Sequence, residues 1–114
     1  MLLSHYREPR QRGTVPDATH AGRAANALCG DEVVLSLRVV AGRIEEARHE
    51  GVGCIVSQGG ADVLCDAWRG TPLAEAAAMD ASGVMAALGE AVPATRVACA
   101  MLPLQALQAA RLLP

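Results

Sequence analysis

The sequence predicts a mixed α and β chain in which a β-hairpin precedes a run of short helices. Three observations carry this reading. The 114 residues leave room for one core, so residues 1–114 are expected to form a single domain. Val33, Leu35, Leu37 and Val39 alternate with Val34, Ser36 and Arg38, which is the period of a half-buried strand. From Cys54 onward the apolar residues recur at helical spacing instead.

Taken in chain order, residues 1–13 are expected to make a short helix that ends near Pro9. Gly13 to Asn26 is rich in Gly, Pro, Ala, Asp, Asn and Thr without periodicity, so it reads as an extended loop. Glu32 to Val40 is the first strand, and Ala41-Gly42 makes the turn. Arg43 to His49 returns, and Ile44, Ala47 and His49 share a face only if a bulge intervenes near Glu46. Cys54, Val56, Ala61, Leu64, Cys65 and Trp68 fall close to one helical stripe, with Gly70 as the stop. Thr71 is placed to cap, and Pro72 to open, a helix to about Met79. Asp80 or Ser82 caps another, which Gly89 ends. Val92 to Thr95 connects to helical stretches at Arg96–Leu102 and Leu104–Leu113, separated by Pro103.

Composition narrows the classes of function. Hydrophobic residues are 52% and charged residues 19% of the chain, which is globular composition. With a formal charge of −2 and aromatics at 2%, neither a basic field nor a stacking platform for bases is available, so nucleic acid is not an expected partner. All ten basic residues are Arg, which excludes a Schiff-base lysine and a phosphate-loop lysine on this chain. No apolar run reaches the length of a membrane span, and the first residues lack a signal-peptide core, so a cytoplasmic protein with no membrane partner is expected.

Four cysteines in a reducing compartment point to metal or thiol chemistry rather than disulfides. Cys29, Cys54 and Cys99 lie at element ends. Cys54 sits at a helix start, and Arg96 precedes Cys99 by one turn; both settings favour a thiolate. Asp31 follows Cys29 across a flexible Gly30. Three sulfurs and one oxygen would close a tetrahedral zinc site, or hold iron with one labile corner. No pair has zinc-finger spacing, however, and an inert buried cysteine is the plain alternative. Cys65 fits that alternative, since eleven helical residues place it about 16 Å along the axis from Cys54. His49 reads as a partly exposed strand residue, and His5 and His20 as terminal or loop residues. On the same plain alternative, Leu104, Leu107, Leu112 and Leu113 would form a docking stripe on the last helix and the cysteines would be packing.

The local motifs carry a resemblance to a known family. His5-Tyr6-Arg7-Glu8-Pro9-Arg10-Gln11-Arg12-Gly13, Pro16-Asp17-Ala18, Asn26-Ala27-Leu28-Cys29-Gly30-Asp31, Gly42-Arg43-Ile44, Glu50 to Gln58 and Arg96 to Leu107 appear in order along nearly the whole chain. As a set they resemble the NifU N-terminal, IscU and SufU family of iron–sulfur assembly proteins. The resemblance implies an α+β fold, a small antiparallel sheet packed by helices with a metal site at one end. It implies that Cys29, Asp31, Cys54 and Cys99 are the site, with Cys29, Cys54 and Cys99 as cluster ligands. It also implies that Cys99 accepts sulfur and that Arg96 stabilises its thiolate.

The expected function is a scaffold that takes sulfur from a cysteine desulfurase, holds iron or a transient [2Fe–2S] cluster, and passes it to apo-proteins. The alternative is a zinc-dependent sulfur acceptor of the SufU kind, so a scaffold without an enzymatic step stands beside a sulfurtransferase. Two departures bear on this choice. Ala98 stands where IscU-like members carry a histidine, and Val92-Pro93-Ala94-Thr95-Arg96 differs from the chaperone-recognised segment of those members. The stretch before Arg96 also lacks the insertion typical of SufU-like members.

Overall fold

The structure is a computed structural model that describes residues 1–114. Its elements are α1 (Leu2–Arg7), β1 (His20–Asn26), β2 (Asp31–Val40), β3 (Arg43–Val52), α2 (Ile55–Trp68), α3 (Leu73–Ala77), α4 (Ala81–Leu88), α5 (Val97–Gln108) and β4 (Arg111–Leu112), with a 3-10 turn at Ala94–Arg96 before α5. The strands form one antiparallel sheet in the order β3-β2-β1-β4. Helices α2 and α5 pack on it, and α1 packs on α2. The expected α+β arrangement is therefore present. No helix is long and apolar enough to cross a membrane.

The hairpin forms for the reasons read from its pattern. Val33, Leu35 and Leu37 are fully buried, and Ala41 and Gly42 take φ of 52° and 79°, the left-handed pair that a two-residue hairpin turn needs. Pairing then slips by one residue, because Arg38 faces Glu46 while Val39 faces Ile44. Glu45 is the extra residue on β3. Without it Ile44 would point opposite to Ala47 and His49; with it all three are buried.

Residues 20–26, expected as loop, are instead β1. Seven consecutive pairs join it to β2, from His20 with Leu37 to Asn26 with Asp31. The small residues that hide a strand pattern here serve close packing: a Cβ on Gly22 would stand 2.1 Å from the carbonyl oxygen of Ala106 on α5. The C-terminal segment also differs from expectation. Pro103 lies inside one continuous α5 because Ala100, Leu102, Leu104, Ala106 and Leu107 bury the helix on both sides of it. The chain after Gln108 leaves the helix to pair with the free edge of β1, His20 with Leu112 and Ala21 with Arg111. Leu104 and Leu107 are therefore core and cannot form a docking stripe.

The short helices keep their predicted places. Asp80 caps α4 by accepting from the Gly83 N–H at 2.9 Å, and Gly89 ends it at φ 71°. Thr71 gives no side-chain cap to α3; its carbonyl accepts from the Ile44 N–H at 2.9 Å, tying the helix to β3.

One buried carboxylate joins the N-terminal segment to this frame. Asp62, on α2, is wholly buried. Its Oδ1 accepts from the Gln11 N–H at 2.7 Å and pairs with His49 Nε2 at 2.8 Å. Its Oδ2 accepts from the Arg10 N–H at 3.0 Å and pairs with His5 Nδ1 at 2.6 Å. His49, read as partly exposed, is 2% exposed, because β3 turns it under the 10–12 segment, where its N–H donates to the Gln11 carbonyl. His5 is likewise buried rather than a loose terminal residue.

Burial lowers the His49 pKa below 6.5, opposed in part by its hydrogen bond to Asp62 and by the Asp62 charge. For Asp62 burial alone would raise the pKa, but the Arg10 N–H, His49, His5 and the Gln11 N–H together hold it below 3.8. Both groups carry depressed folded-state values, so the unfolded chain binds more protons and stability falls as pH falls. The loss from His49 sets in below about 6.5, and that from Asp62 below about 3.8. We expect melting temperature to decline in these two stages on acidification. His49→Gln, which can still donate to Asp62 but does not titrate, should remove the first stage; a wild-type profile in that variant would overturn the assignment. We also expect Gly22→Val to cost at least about 2 kcal/mol in urea unfolding, since its side chain would displace α5.

Candidate functional site

The site forms where three element ends meet. Asp31 opens β2 and is 3% exposed, although it is a carboxylate. Gly30 before it turns the chain at φ 70°. Cys54 occupies the capping position of the fourteen-residue α2, where the exposed N–H groups and the helix dipole favour a negative sulfur. Cys99 is the third residue of α5 and is fully buried.

The ligand atoms of Asp31, Cys54 and Cys99 all lie within 4.8 Å of one another. Asp31 Oδ1 accepts from the Cys54 N–H at 3.3 Å, and Oδ2 stands 3.5 Å from Cys54 Sγ. Gly53 makes this approach possible. At φ 150°, a Cβ there would fall 2.6 Å from Asp31 Oδ1 and 2.5 Å from Ser57 Oγ. Two soft thiols and one hard carboxylate suit zinc or iron, and do not suit magnesium or calcium, which take oxygen ligands.

Cys29 is exposed, in the turn between β1 and β2 beside the 98% exposed Leu28. It stands apart from the compact group of three. Arg96 is exposed in the turn before α5, and its guanidinium pKa is raised first by the Cys99 side chain, then by Cys54, and less by Cys29. The charge thus acts chiefly on Cys99 and Cys54 and only weakly on Cys29. In the metal-free site burial pushes the Cys99 thiol up to about 12, with Asp31 and Cys54 adding to the rise. Cys65 is buried in the core, its thiol pushed far up by desolvation and by Asp62 and Asp66, and it takes no part. His5 and His49 are engaged with Asp62, and His20 with Thr19 at 2.8 Å.

Two polar residues beside the thiols lie within the quoted motif but carried no assigned role. Ser57 Oγ donates to the Cys54 carbonyl at 3.3 Å and lies 3.9 Å from Cys54 Sγ. Gln58 Nε2 donates to the carbonyls of Glu32 and Val52, each at 3.0 Å. Their spacing from Cys54 within one helical turn was the available signal. An open, mainly apolar groove of about 560 Å³ runs past Cys54, lined by Tyr6, Ile55, Val56, Pro93 and Arg96.

Comparison with known proteins supplies the family and the fold. The family model described as "NifU-like N terminal domain" matches residues 1–112. The iron–sulfur cluster assembly scaffold protein IscU of Thermotoga maritima is 35% identical over 65 residues, 57% of this chain and 46% of that protein, so this chain spans about half of its length. IscU 1 of Archaeoglobus fulgidus is 28% identical over 109 residues, 96% of this chain and 71% of that protein. The zinc-dependent sulfurtransferase SufU of Bacillus subtilis is 29% identical over 79 residues, 69% of this chain and 53% of that protein. Among solved structures, an iron–sulfur cluster assembly scaffold protein for the SUF system from Fervidobacterium islandicum superposes with a TM-score of 0.78 at 23% identity. That alignment covers 94% of this chain and 90% of the other, and it supports the fold. With the family model matching residues 1–112 of 114, this chain belongs to the NifU-like N-terminal domain family.

Proposed function

We propose that residues 1–114 act as one domain that assembles iron–sulfur clusters. It would take sulfur from a cysteine desulfurase, hold iron or a transient [2Fe–2S] cluster as cargo, and release it to apo-proteins. The observation that carries the reading is the convergence of Asp31, Cys54 and Cys99 within 4.8 Å at the end of the sheet. Cys29 would supply the remaining ligand: its turn is exposed, and Gly30 lets it swing toward the other three. The names of the Thermotoga maritima and Archaeoglobus fulgidus relatives support the same reading. A cytoplasmic, reducing setting keeps the four cysteines free for this chemistry.

The chain's own groups have distinct parts. Asp31 would hold iron less tightly than a thiolate and so leave one corner exchangeable. Its carboxylate is oriented toward the thiols by the Cys54 N–H at 3.3 Å. Burial, with Asp31 and Cys54, pushes the Cys99 thiol up to about 12, and Arg96 is the positive charge that offsets part of the cost of ionising it when sulfur arrives.

The relation to the Bacillus subtilis sulfurtransferase, together with Ala98 beside Cys99, favours a second reading. Here zinc would be held by Cys29, Asp31, Cys54 and Cys99 until a cysteine desulfurase delivers its persulfide sulfur to one thiolate, displacing it from the metal.

Metal analysis of anaerobically purified protein separates the readings. Iron, together with visible sulfur-to-iron absorption after incubation with a desulfurase, cysteine and iron, is the expected result. Stoichiometric zinc with many-fold activation of the desulfurase supports the second reading, and neither metal nor chromophore would sink both. On scaffold chemistry Asp31→Ala should slow cluster transfer to an apo-ferredoxin about tenfold; if zinc is resident it should instead weaken zinc in chelator competition. In the metal-free protein iodoacetamide should modify Cys29 first and Cys99 slowly, with the Cys99 rate still climbing at the highest pH reached, as a thiol near 12 requires. Arg96→Ala should slow Cys99 further, by several-fold, and an unchanged rate would reduce Arg96 to a solvated charge.

A further inference from the structure

Gln58 is 7% exposed in the first turns of α2, and every hydrogen bond of its amide nitrogen goes to a group next to the site. One runs to the Glu32 carbonyl, directly after Asp31, at 3.0 Å. Another runs to the Val52 carbonyl, just before Gly53-Cys54, at 3.0 Å. With both amide hydrogens given to those carbonyls, the same nitrogen also stands 3.2 Å from Ser57 Oγ, and that hydroxyl donates to the Cys54 carbonyl. The Gln58 N–H itself donates to the same carbonyl at 3.0 Å. The start of β2, the end of β3 and the start of α2 are therefore joined through one side chain.

The two residues that this arrangement brackets touch each other directly, and both also face the Cys99 thiol. Asp31 reaches Cys54 through bonds of 3.3 and 3.5 Å, which are long and yield readily. Gly53 leaves the intervening backbone free to move, since it has no side chain to brace it. A carboxylate that must both hold and release a metal is sensitive to a shift of a few tenths of an ångström, as residues behind metal ligands commonly show.

We propose that Gln58 is a positioning residue: it sets the separation of Asp31 from Cys54 through the main chain, and with it the rate at which the site releases a metal ion. This rests on the reading of Asp31 and Cys54 as ligands. It goes beyond that reading by naming a residue that touches no metal and controls the labile corner.

The test is a double-mutant cycle on the full chain, with Co²⁺ as the probe metal. Wild type, Asp31→Ala, Gln58→Met and the double variant are loaded with Co²⁺, their visible spectra recorded, and release into excess EDTA timed. Gln58→Met should shift the ligand-field bands and speed release about tenfold, and it should change neither in the Asp31→Ala background. An equal effect with and without Asp31, or unchanged bands and release in Gln58→Met, would overturn the positioning role. A wild-type protein without a sulfur-to-cobalt band would overturn the metal-site reading itself, which is a separate result. Circular dichroism at the assay temperature confirms folding. Should Gln58→Met not fold, Gln58→Glu keeps the length and removes both amide donors, and it carries the same expectation.

Discussion

The Asp62 carboxylate is the contact on which the architecture turns. A charge wholly inside a protein costs several kcal/mol unless it is fully hydrogen bonded. Here two main-chain N–H groups and two imidazoles surround it, and they come from three parts of the chain. Burying Asp62 in α2 thus obliges α1, the 10–11 segment and β3 to assemble around that helix. The close seating of α1 follows: a Cβ on Gly59 would stand 2.6 Å from the Leu2 carbonyl. Once α1 is seated, Tyr6 becomes one wall of the groove that leads to Cys54.

The same helix carries the site at its other end. Asp62 holds the middle of α2, and Gln58 and Cys54 follow one and two turns toward its N-terminus. The core therefore fixes the position of α2, while the site uses only its free end. Glycine supplies what remains: Gly51 passes where a Cβ would strike the Glu32 carbonyl at 2.0 Å, and Gly53 lets Asp31 meet Cys54. A rigid helix beside a side-chain-free approach is a means of holding soft ligands close without closing the site. Around it the surface is mainly apolar and open, with the exposed Ile55 lining the groove beside Cys54. An exposed apolar rim of this kind is the character of surfaces that other molecules contact.

Electrostatics divides the cysteines by role. Cys65 is desolvated among core side chains and faces two carboxylates, so it stays a thiol and packs as a small apolar group. Cys99 is also buried and held up to about 12, yet its neighbours are Cys54, Asp31 and the guanidinium of Arg96. A cation placed among those groups would reverse the balance, because ligand thiols lose their protons to metal.

Much was legible in the chain. Alternation at Val33, Leu35 and Leu37, the Ala41-Gly42 turn, the bulge beside Glu46, the Asp80 cap and the Gly89 stop are local matters, decided by backbone sterics and side-chain period. The ligand types and the family resemblance were equally visible. What the sequence could not yield is any feature whose reason lies in a distant residue. β1 has little strand propensity of its own, and it exists because β2 offers it seven partners and α5 needs Gly22 beneath it. Pro103 stays helical because core contacts on either side outweigh one missing backbone bond. His49 is buried only because Asp62, thirteen residues later, returns to meet it. Local chemistry determined which groups were available; only the packed structure decided which of them met, since a hydrogen bond across the fold leaves no periodic trace in the chain that makes it.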